Sequence, residues 1–391
     1  MLDLSFLPEI NFAKVDGEDF TDAAVVERLF ITGFEAAARM DGIPDWQLFP
    51  ADHRRLFLLN MAARFVQFYT LLDFAGKQGF LKYAIGEQLD NRGADYGERG
   101  TRLPEKAAVC TLRYTLSTVR NVSTLIPSGS RVSVGDVEFA TVSDLIIPPE
   151  TLTGDVDAKC TVPGIVGNGF LAGQITTMVN RFAFVSSVVN TTDTAGGADA
   201  EQDDAYRMRI WRAPESFSVA GPAGAYEFWT YTANPGISDV SVWSPEPGHV
   251  NVVVLMQGGE LPTPTVRSEV LARLNDERIR PLTDFVSVPE TRARYYGLDL
   301  TYWVPASRAT ALDNIQRQVK EAVRSWVAWQ SAALGRDVNT SELIRLVMEA
   351  GAGRVQVNDP VFTPIERDEV AKLDPSVVLD DALDFGGVEN G

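Results

Sequence analysis

From Thr21 to about Arg39 the apolar positions Val25, Val26, Leu29, Phe30 and Phe34 return at helical spacing. Asp22 stands where an acid favours a helix N-terminus, so the pattern predicts an amphipathic helix. A second and more apolar helix is predicted from about Asp52 to Ala75, with Leu56, Leu59, Ala63, Val66, Phe68, Tyr69 and Leu72 spread over more than half its circumference. A helix apolar on that many sides needs cover on several of them, either from its own domain or from another subunit.

The texture changes after Ala84-Ile-Gly-Glu-Gln-Leu-Asp-Asn-Arg-Gly. From Ala107 to Thr192 short alternating runs, such as Val109 to Leu116, Val137 to Val142 and Phe184 to Val189, predict strands. The turns between them include Ile126-Pro-Ser-Gly-Ser and Val162-Pro-Gly-Ile-Val-Gly-Asn-Gly, where Pro, Gly and Asn supply the backbone angles of tight turns. The acidic stretch Gly196-Gly-Ala-Asp-Ala-Glu-Gln-Asp-Asp then reads as a flexible link running into a helix that starts near Asp203.

Beyond it, strands at Asp239 to Trp243 and His249 to Met256, a helix from Thr265 to about Arg278 and a strand at Phe285 to Pro289 form a ββαβ module. A related layout follows. Alternating Tyr296, Leu298, Leu300 and Tyr302 predict a strand, and Leu312, Ile315, Val319, Ala322, Val323 and Trp326 line a long helix. A short helix at Ser341 to Glu349 and a strand at Arg354 to Val357 complete it. The acidic residues 366–391, ending in Gly-Gly-Val-Glu-Asn-Gly, read as a tail that frays or lies on a neighbour.

The expected fold class is therefore multidomain α+β, with an N-terminal helical arm, a central all-β domain and two C-terminal α+β modules. The expected boundaries are 1–100 for the arm, 101–195 for the β-rich domain, 196–290 for an α+β module with a preceding helix, 291–365 for the second module and 366–391 for the tail. At 391 residues the chain exceeds the size at which single cores stop growing, roughly 250 to 300 residues.

Charge removes several functions. With 35 Lys and Arg against 53 Asp and Glu the net charge is -18, and the basic residues occur as scattered pairs such as Arg278 and Arg280 or Arg292 and Arg294. Nucleic acid is excluded as a partner, because binding a phosphate backbone needs many cations on one face. No window approaches the ~20 apolar residues of a membrane helix, and Met1-Leu-Asp-Leu-Ser-Phe-Leu-Pro-Glu-Ile has no basic leader, so no membrane is expected and synthesis is placed in the cytoplasm.

Chemistry is equally sparse. His53 and His249 are the chain's two histidines, and Cys110 and Cys160 lack CxxC partners, so neither a metal site nor a cofactor is expected. No G-x-S-x-G elbow surrounds a serine, and Gly167-Asn-Gly-Phe-Leu-Ala-Gly has the wrong spacing for a dinucleotide loop. Asp199, Glu201, Asp203 and Asp204 lack the spaced ligands of a calcium loop. No catalytic residue is identified, and the chain is read as not an enzyme.

Five loop motifs stand out in order: Val162-Pro-Gly-Ile-Val-Gly-Asn, Gly196-Gly-Ala-Asp-Ala-Glu, Ala220-Gly-Pro-Ala-Gly-Ala-Tyr, Arg280-Pro-Leu-Thr-Asp and Leu334-Gly-Arg-Asp-Val. Together they resemble the baseplate J-like family of contractile phage tails over roughly residues 80 to 360. The resemblance implies a structural wedge protein of a virion's tail baseplate, in a phage or a phage-derived injection machine. In similar tails two copies embrace a smaller wedge partner, and the wedges ring a central hub and meet the sheath-initiating baseplate proteins. The ring changes shape on host contact and releases the sheath.

Interface candidates are Phe65, Phe68, Tyr69 and Leu72 on the helical arm, facing a second copy of the chain or the smaller partner, unless they are intrachain core. Hinge or turn candidates are Gly196, Gly197, Gly221, Pro222, Gly224 and Pro281, within the links 196–204 and 218–226. Asp199 and Asp284 are placed to cap neighbouring amides. The alternative function is a β-rich adhesin or carbohydrate-binding tail protein.

Overall fold

The computed structural model describes residues 4, 6–43, 46–218 and 221–389. Val219 and Ala220 of the expected 218–226 hinge, Met1 to Asp3 and Ser5 of the start, and Asn390 and Gly391 of the tail lie outside the described residues. The chain divides into two units, Met1–Arg102 with Gln202–Trp211, and Leu103–Glu201 with Arg212–Gly391.

The first unit is helical apart from a short hairpin, β1 (Lys14–Val15) with β2 (Glu18–Asp19). The helix α1 (Ala23–Met40) begins at Asp22, whose carboxylate accepts from the Ala24 amide. Asp52 caps α2 (His53–Lys77) in the same way through the Arg54 amide. Each cap satisfies an amide that the helix itself cannot. After α3 (Gly86–Gly93) the unit is completed from far along the sequence by α4 (Asp203–Arg212).

The helix near Asp203 thus belongs largely with the N-terminal unit and not with the module expected to follow it. Its polar side chains explain why. Arg209 is buried and donates to the carbonyls of Arg99 and Thr101 at 2.8 and 2.6 Å. Arg207 donates to those of Leu81 and Ala84 at 2.9 and 2.7 Å, and the Tyr206 hydroxyl donates to Gly100 O at 2.5 Å. These bonds give the carbonyls of residues 81, 84 and 99–101 side-chain partners.

Asp203 accepts from the Gly86 amide at 2.9 Å and pairs with Arg102 at 2.8 Å. The Gly86 bond first, and Arg102 after it, hold its carboxyl below the usual range. A depressed folded-state pKa contributes stability above the unfolded value, and that contribution fades as pH falls through the folded one. Asp203→Ala is therefore expected to cost about 1 kcal/mol at pH 7, discounted for the partial exposure of the pair. The gap to wild type should close below about pH 4. Thermal melts across pH 3 to 7 check this, and a gap constant with pH would contradict it.

The second unit opens with a six-stranded sheet. Its strands are β3 (Val109–Leu116), β5 (Arg131–Val134), β6 (Val137–Thr141), β8 (Thr153–Cys160), β9 (Thr177–Met178) and β10 (Val185–Asn190), in the order β10-β3-β8-β6-β5-β9. The sheet is nearly closed, and a two-stranded sheet of β4 (Thr124–Ile126) and β7 (Leu145–Ile147) accompanies it. Alternation puts Leu112, Tyr114, Ile126, Val132, Phe139 and Ile147 into one core. Cys110 and Cys160 sit in it as free thiols, and burial pushes the Cys110 thiol up to about 12.

Next come α5 (Ala223–Tyr231), β11 (Ile237–Trp243), β12 (His249–Met256), α6 (Pro264–Leu274) and β13 (Phe285–Ser287), with β12 between an antiparallel β11 and a parallel β13. The helix α6 stops short of the expected Arg278, and beyond its end Asp276 reaches forward to accept the Arg278 amide at 2.9 Å, a local bond that competes with helix continuation. The last module holds β14 (Arg292–Tyr296), β15 (Asp299–Pro305), α7 (Leu312–Gln330), α8 (Thr340–Glu349), β16 (Arg354–Asp359), β17 (Glu369–Leu373) and β18 (Leu383–Glu389).

Two expectations fail in that last module. The strand expected through Tyr296 and Tyr302 is two strands, β14 and β15, although Tyr296, Leu298, Leu300, Tyr302 and Val304 are all buried. Alternation reported burial faithfully but not pairing. The chain changes partners at Gly297, from β17 beside β14 to β16 and β18 beside β15.

The acidic tail does not fray over its described residues. β17 lies parallel to β14 with Val370 and Ala371 buried, and β18 lies parallel to β15. Its acids have partners: Asp368 pairs with Arg292 at 2.9 Å and Glu389 with Arg354 at 3.1 Å. Composition alone made a strand pair look like solvent-exposed chain.

Candidate assembly surface and the loop joints

The hairpin of α1 and α2 buries little of its apolar surface. Val26, Leu58 and Ala62 are its buried side chains within the two helices. On α2, Leu58, Ala62, Phe65 and Tyr69 form the inward stripe: Phe65 stacks on Phe30 at 5.1 Å and Tyr69 on Phe20 at 4.9 Å. Advancing 100° per residue, a second stripe of Phe57, Met61, Arg64, Phe68, Leu71 and Ala75 runs along another face at alternating steps of four and three.

That second stripe faces outward. Phe57 is 66% exposed, Phe68 59% and Leu71 63%, and an open concavity of about 380 Å³ is lined by Arg64, Phe65 and Phe68. The four expected interface residues therefore divide. Phe68 and Leu72 are exposed, whereas Phe65 and Tyr69 spend one ring face on the hairpin. Phe57, Arg64 and Leu71 share the outward stripe with Phe68 but were not among the expected residues, although the heptad spacing that links them is readable once two interleaved stripes are sought instead of one apolar circumference.

Four of the five loop motifs meet in two pairs, and the fifth reaches β11 and residue 369. Gly197 donates to Asn168 Oδ1 at 2.9 Å, and Asn168 Nδ2 returns a bond to Gly197 O at 2.8 Å. Lys106 exchanges backbone bonds with Ala198 at 2.7 and 3.0 Å, and Asp199 Oδ1 accepts the Ile165 amide at 3.2 Å. The Lys106 ammonium reaches Glu269 at 2.8 Å and Ala233 O at 3.1 Å, so the knot ties the nearly closed sheet to α6.

Residues 194–198 are all buried. The expected flexible link is thus a clamped strap at Gly196 and Gly197. A Cβ at residue 197 would strike Gly164 O, with Asn168 Oδ1 at 2.9 Å and Ala108 N at 3.0 Å. Gly197 serves close approach.

A second joint brings the Gly221 loop to the Pro281 loop. Gly221 has φ +75°, and a Cβ there would lie 2.9 Å from both Asp284 Oδ2 and Pro281 Cγ. The Tyr226 hydroxyl donates to Asp284 Oδ2 at 2.7 Å, and burial first, then this bond, raises the phenol's pKa. Pro222 takes the N-cap position of α5, and a Cβ on Gly224 would press on Glu215 at 3.0 Å. Asp284, expected to cap an amide, accepts a phenol instead.

At the third joint Leu334 N donates to Asp239 Oδ2 on β11 at 2.8 Å, and Gly335 N donates to Glu369 O at 2.9 Å. Gln330 Nε2 holds the carbonyls of Arg336 and Asp337 at 2.9 and 3.2 Å. The motif loops fasten segments distant in sequence to one another.

Among the described residues no group of His, Cys, Asp and Glu could hold a metal ion, and no helix is long and apolar enough to cross a membrane. His53 is exposed at the start of α2, and His249 lies against the Phe285 ring with centroids 5.4 Å apart.

Residues 111–197 match the model of the baseplate J-like protein barrel domain, and residues 218–289 that of the baseplate J-like central domain. Baseplate protein J of Escherichia phage P2 is 30% identical over 163 residues, covering 41% of this chain and 53% of the relative. The chain spans about half the length of that curated relative. A chain of the six-fold symmetrised cryo-EM structure of the anti-feeding prophage baseplate aligns over 90% of both chains at 12% identity. Its TM-score of 0.40 is too low to establish a shared fold.

Proposed function

This chain belongs to the baseplate J-like family, and from that premise we propose that it is a structural component of a contractile-tail baseplate, in a phage or a phage-derived particle. The observation that carries the reading is the succession of barrel and central domains at residues 111–197 and 218–289, whose motif loops build joints instead of a reactive site.

In this reading the chain is a wedge part. Copies stand in a ring around the hub, contact a smaller wedge partner and the sheath-initiating proteins, and pass on the change of shape that releases the sheath. The clamped unit of residues 103–201 and 212–391 suits a part that transmits force, and the exposed apolar stripe on α2 suits a part that is incomplete alone.

Deleting the gene from a particle-producing strain should leave tubes and sheaths without an assembled baseplate ring in electron micrographs. Intact contractile particles made without the chain would refute the proposal. The shape change is assigned to the Gly221–Pro222 turn that leads into α5 at Gly224, against Pro281, where the crowding contacts are side chains and not backbone. Residues 103–218 and 221–289 moving as one body between extended and contracted particles would refute that assignment.

Phe68→Asp should leave the fold intact, because the ring is 59% exposed, and should abolish incorporation into particles. Circular dichroism and particle composition together check this. A folded variant incorporated at wild-type level removes α2 from the assembly surface.

A further inference from the structure

Asn168 is followed by Gly169, the one Asn-Gly pair among the described residues. Such a pair carries its own reaction. The backbone nitrogen of the glycine can attack the side-chain amide carbon of the asparagine, and a glycine has no Cβ to stand in the way. The new C–N bond closes a succinimide ring while the old one breaks, and the side-chain nitrogen leaves as ammonia with the proton of the glycine amide. Water then opens the ring at one C–N bond or the other. The product is aspartate, or isoaspartate, in which the chain runs through the side-chain carbon. Water is the co-reactant throughout, and nothing is oxidised or reduced.

The fold keeps the pair from reacting. Asn168 Oδ1 accepts the Gly197 amide at 2.9 Å and Nδ2 donates to Gly197 O at 2.8 Å, so both polar atoms are spent on one residue of the strap. The attacking nitrogen is engaged as well. Gly169 N donates to Thr194 O at 3.1 Å, and it must give up that proton to react. The ψ of Asn168 is 157°, an extended value from which the backbone has to rotate before Gly169 N can face the side-chain carbon. Yet the lock lies at the surface. Gly169 is exposed and Asn168 half-buried, so water reaches the pair once the strap lifts.

We propose that Asn168 is a latent site of spontaneous deamidation, gated by the strap at residues 194–197, and that the reaction keeps the strap open once it has occurred. The product cannot refasten as the asparagine does. A carboxylate accepts but does not donate, so Gly197 O loses its partner and meets an anionic oxygen instead. Asp199, whose Oδ1 accepts the Ile165 amide of the same loop, adds a second negative charge there. Isoaspartate also lengthens the backbone at a contact where Gly197 has no space even for a Cβ. A transient opening becomes a permanent one.

The full chain, incubated in mildly alkaline buffer with and without guanidinium chloride and followed by peptide mass spectrometry, tests the gate. The unfolded chain should convert Asn168 to a mixture of aspartate and isoaspartate. The native chain should convert it roughly a hundredfold more slowly, because reaction follows the open population and the bonds to Gly197 and Thr194 each favour closure by about a factor of five. Equal native and unfolded rates, or no conversion in the unfolded chain, overturn the proposal.

In the unfolded chain Gly169→Ala should slow conversion severalfold, and an unchanged rate would remove Gly169 N as the nucleophile. Gly197→Ala, held well below its own melting temperature, should convert at least about tenfold faster than native wild type, since its crowding costs more than the energy of one decade. A wild-type rate in that variant places the gate elsewhere and overturns it. Asn168→Asp stands for the product and should melt roughly 2 to 4 °C below wild type. Melting at or above wild type would show that the carboxylate refastens the strap, against the proposal.

Discussion

Replacing Gly197 with alanine is expected to cost the unit that contains it about 3 kcal/mol, the upper range for forcing extra volume into a packed site. The melting temperature should fall by roughly 6 to 12 °C for a unit of this size. The cause is steric, not conformational, because Gly197 does not have positive φ. Its missing Cβ leaves room for Gly164 O, Asn168 Oδ1 and Ala108 N, and two of those three are backbone atoms tied into the neighbouring strap.

Gly173 provides the contrast. It has φ +91° and nothing within 4 Å of a built Cβ, so Gly173→Ala should cost about 1 kcal/mol from backbone strain alone. Scanning calorimetry of both variants separates the readings. If residues 196 and 197 formed an open hinge, both substitutions would have similarly small effects on melting, and that result would sink the clamp.

How much of this was legible depends on whether the deciding contact was local. Helices were. Asp22 and Asp52 announced the starts of α1 and α2, and the stripe Ile315, Val319, Val323 and Trp326 announced α7, because caps and helical spacing act within a few residues. The strands of the barrel were legible for the same reason, since alternation records which face is buried.

Partnership was not legible. Whether Tyr296 and Leu300 share a strand, or whether residues 369–373 and 383–389 find a sheet, depends on parallel pairing with strands remote in sequence. Nothing in an acidic, glycine-bearing segment signals that. The motif loops were recognisable as turns, yet their contacts depend on Asn168, Asp284 and Asp239 meeting residues 29 to 95 positions away. Glycines that look permissive in sequence proved to be places where backbone and side chains crowd. On α2 the error was one of counting: apolar residues on many sides suggested stickiness in general, whereas the two heptad stripes separate an inner face from an outer one.

Trp326→Ala should be the most damaging single substitution in the last module, at about 3 to 5 kcal/mol, the usual cost of emptying a buried aromatic site. Trp326 is fully buried on α7, edge-on to Tyr296 with centroids 5.5 Å apart, in the core that β15, α7 and α8 share. Leu343, Val347 and Leu300 are fully buried in that same core and cannot close over the cavity without moving two elements.

The indole N–H has no hydrogen-bond partner among the described residues, so the side chain acts by volume and not by its polar atom. Trp326→Phe should therefore recover most of the loss, retaining an aromatic edge for Tyr296 at a cost of about 1 to 2 kcal/mol. Trp329, three residues on and 42% exposed, should tolerate alanine with about 1 kcal/mol lost from its stack against Arg336. Urea titrations of the three variants test the order. Equal costs for Trp326→Phe and Trp326→Ala would show that the indole N–H, not the filled space, holds this core together.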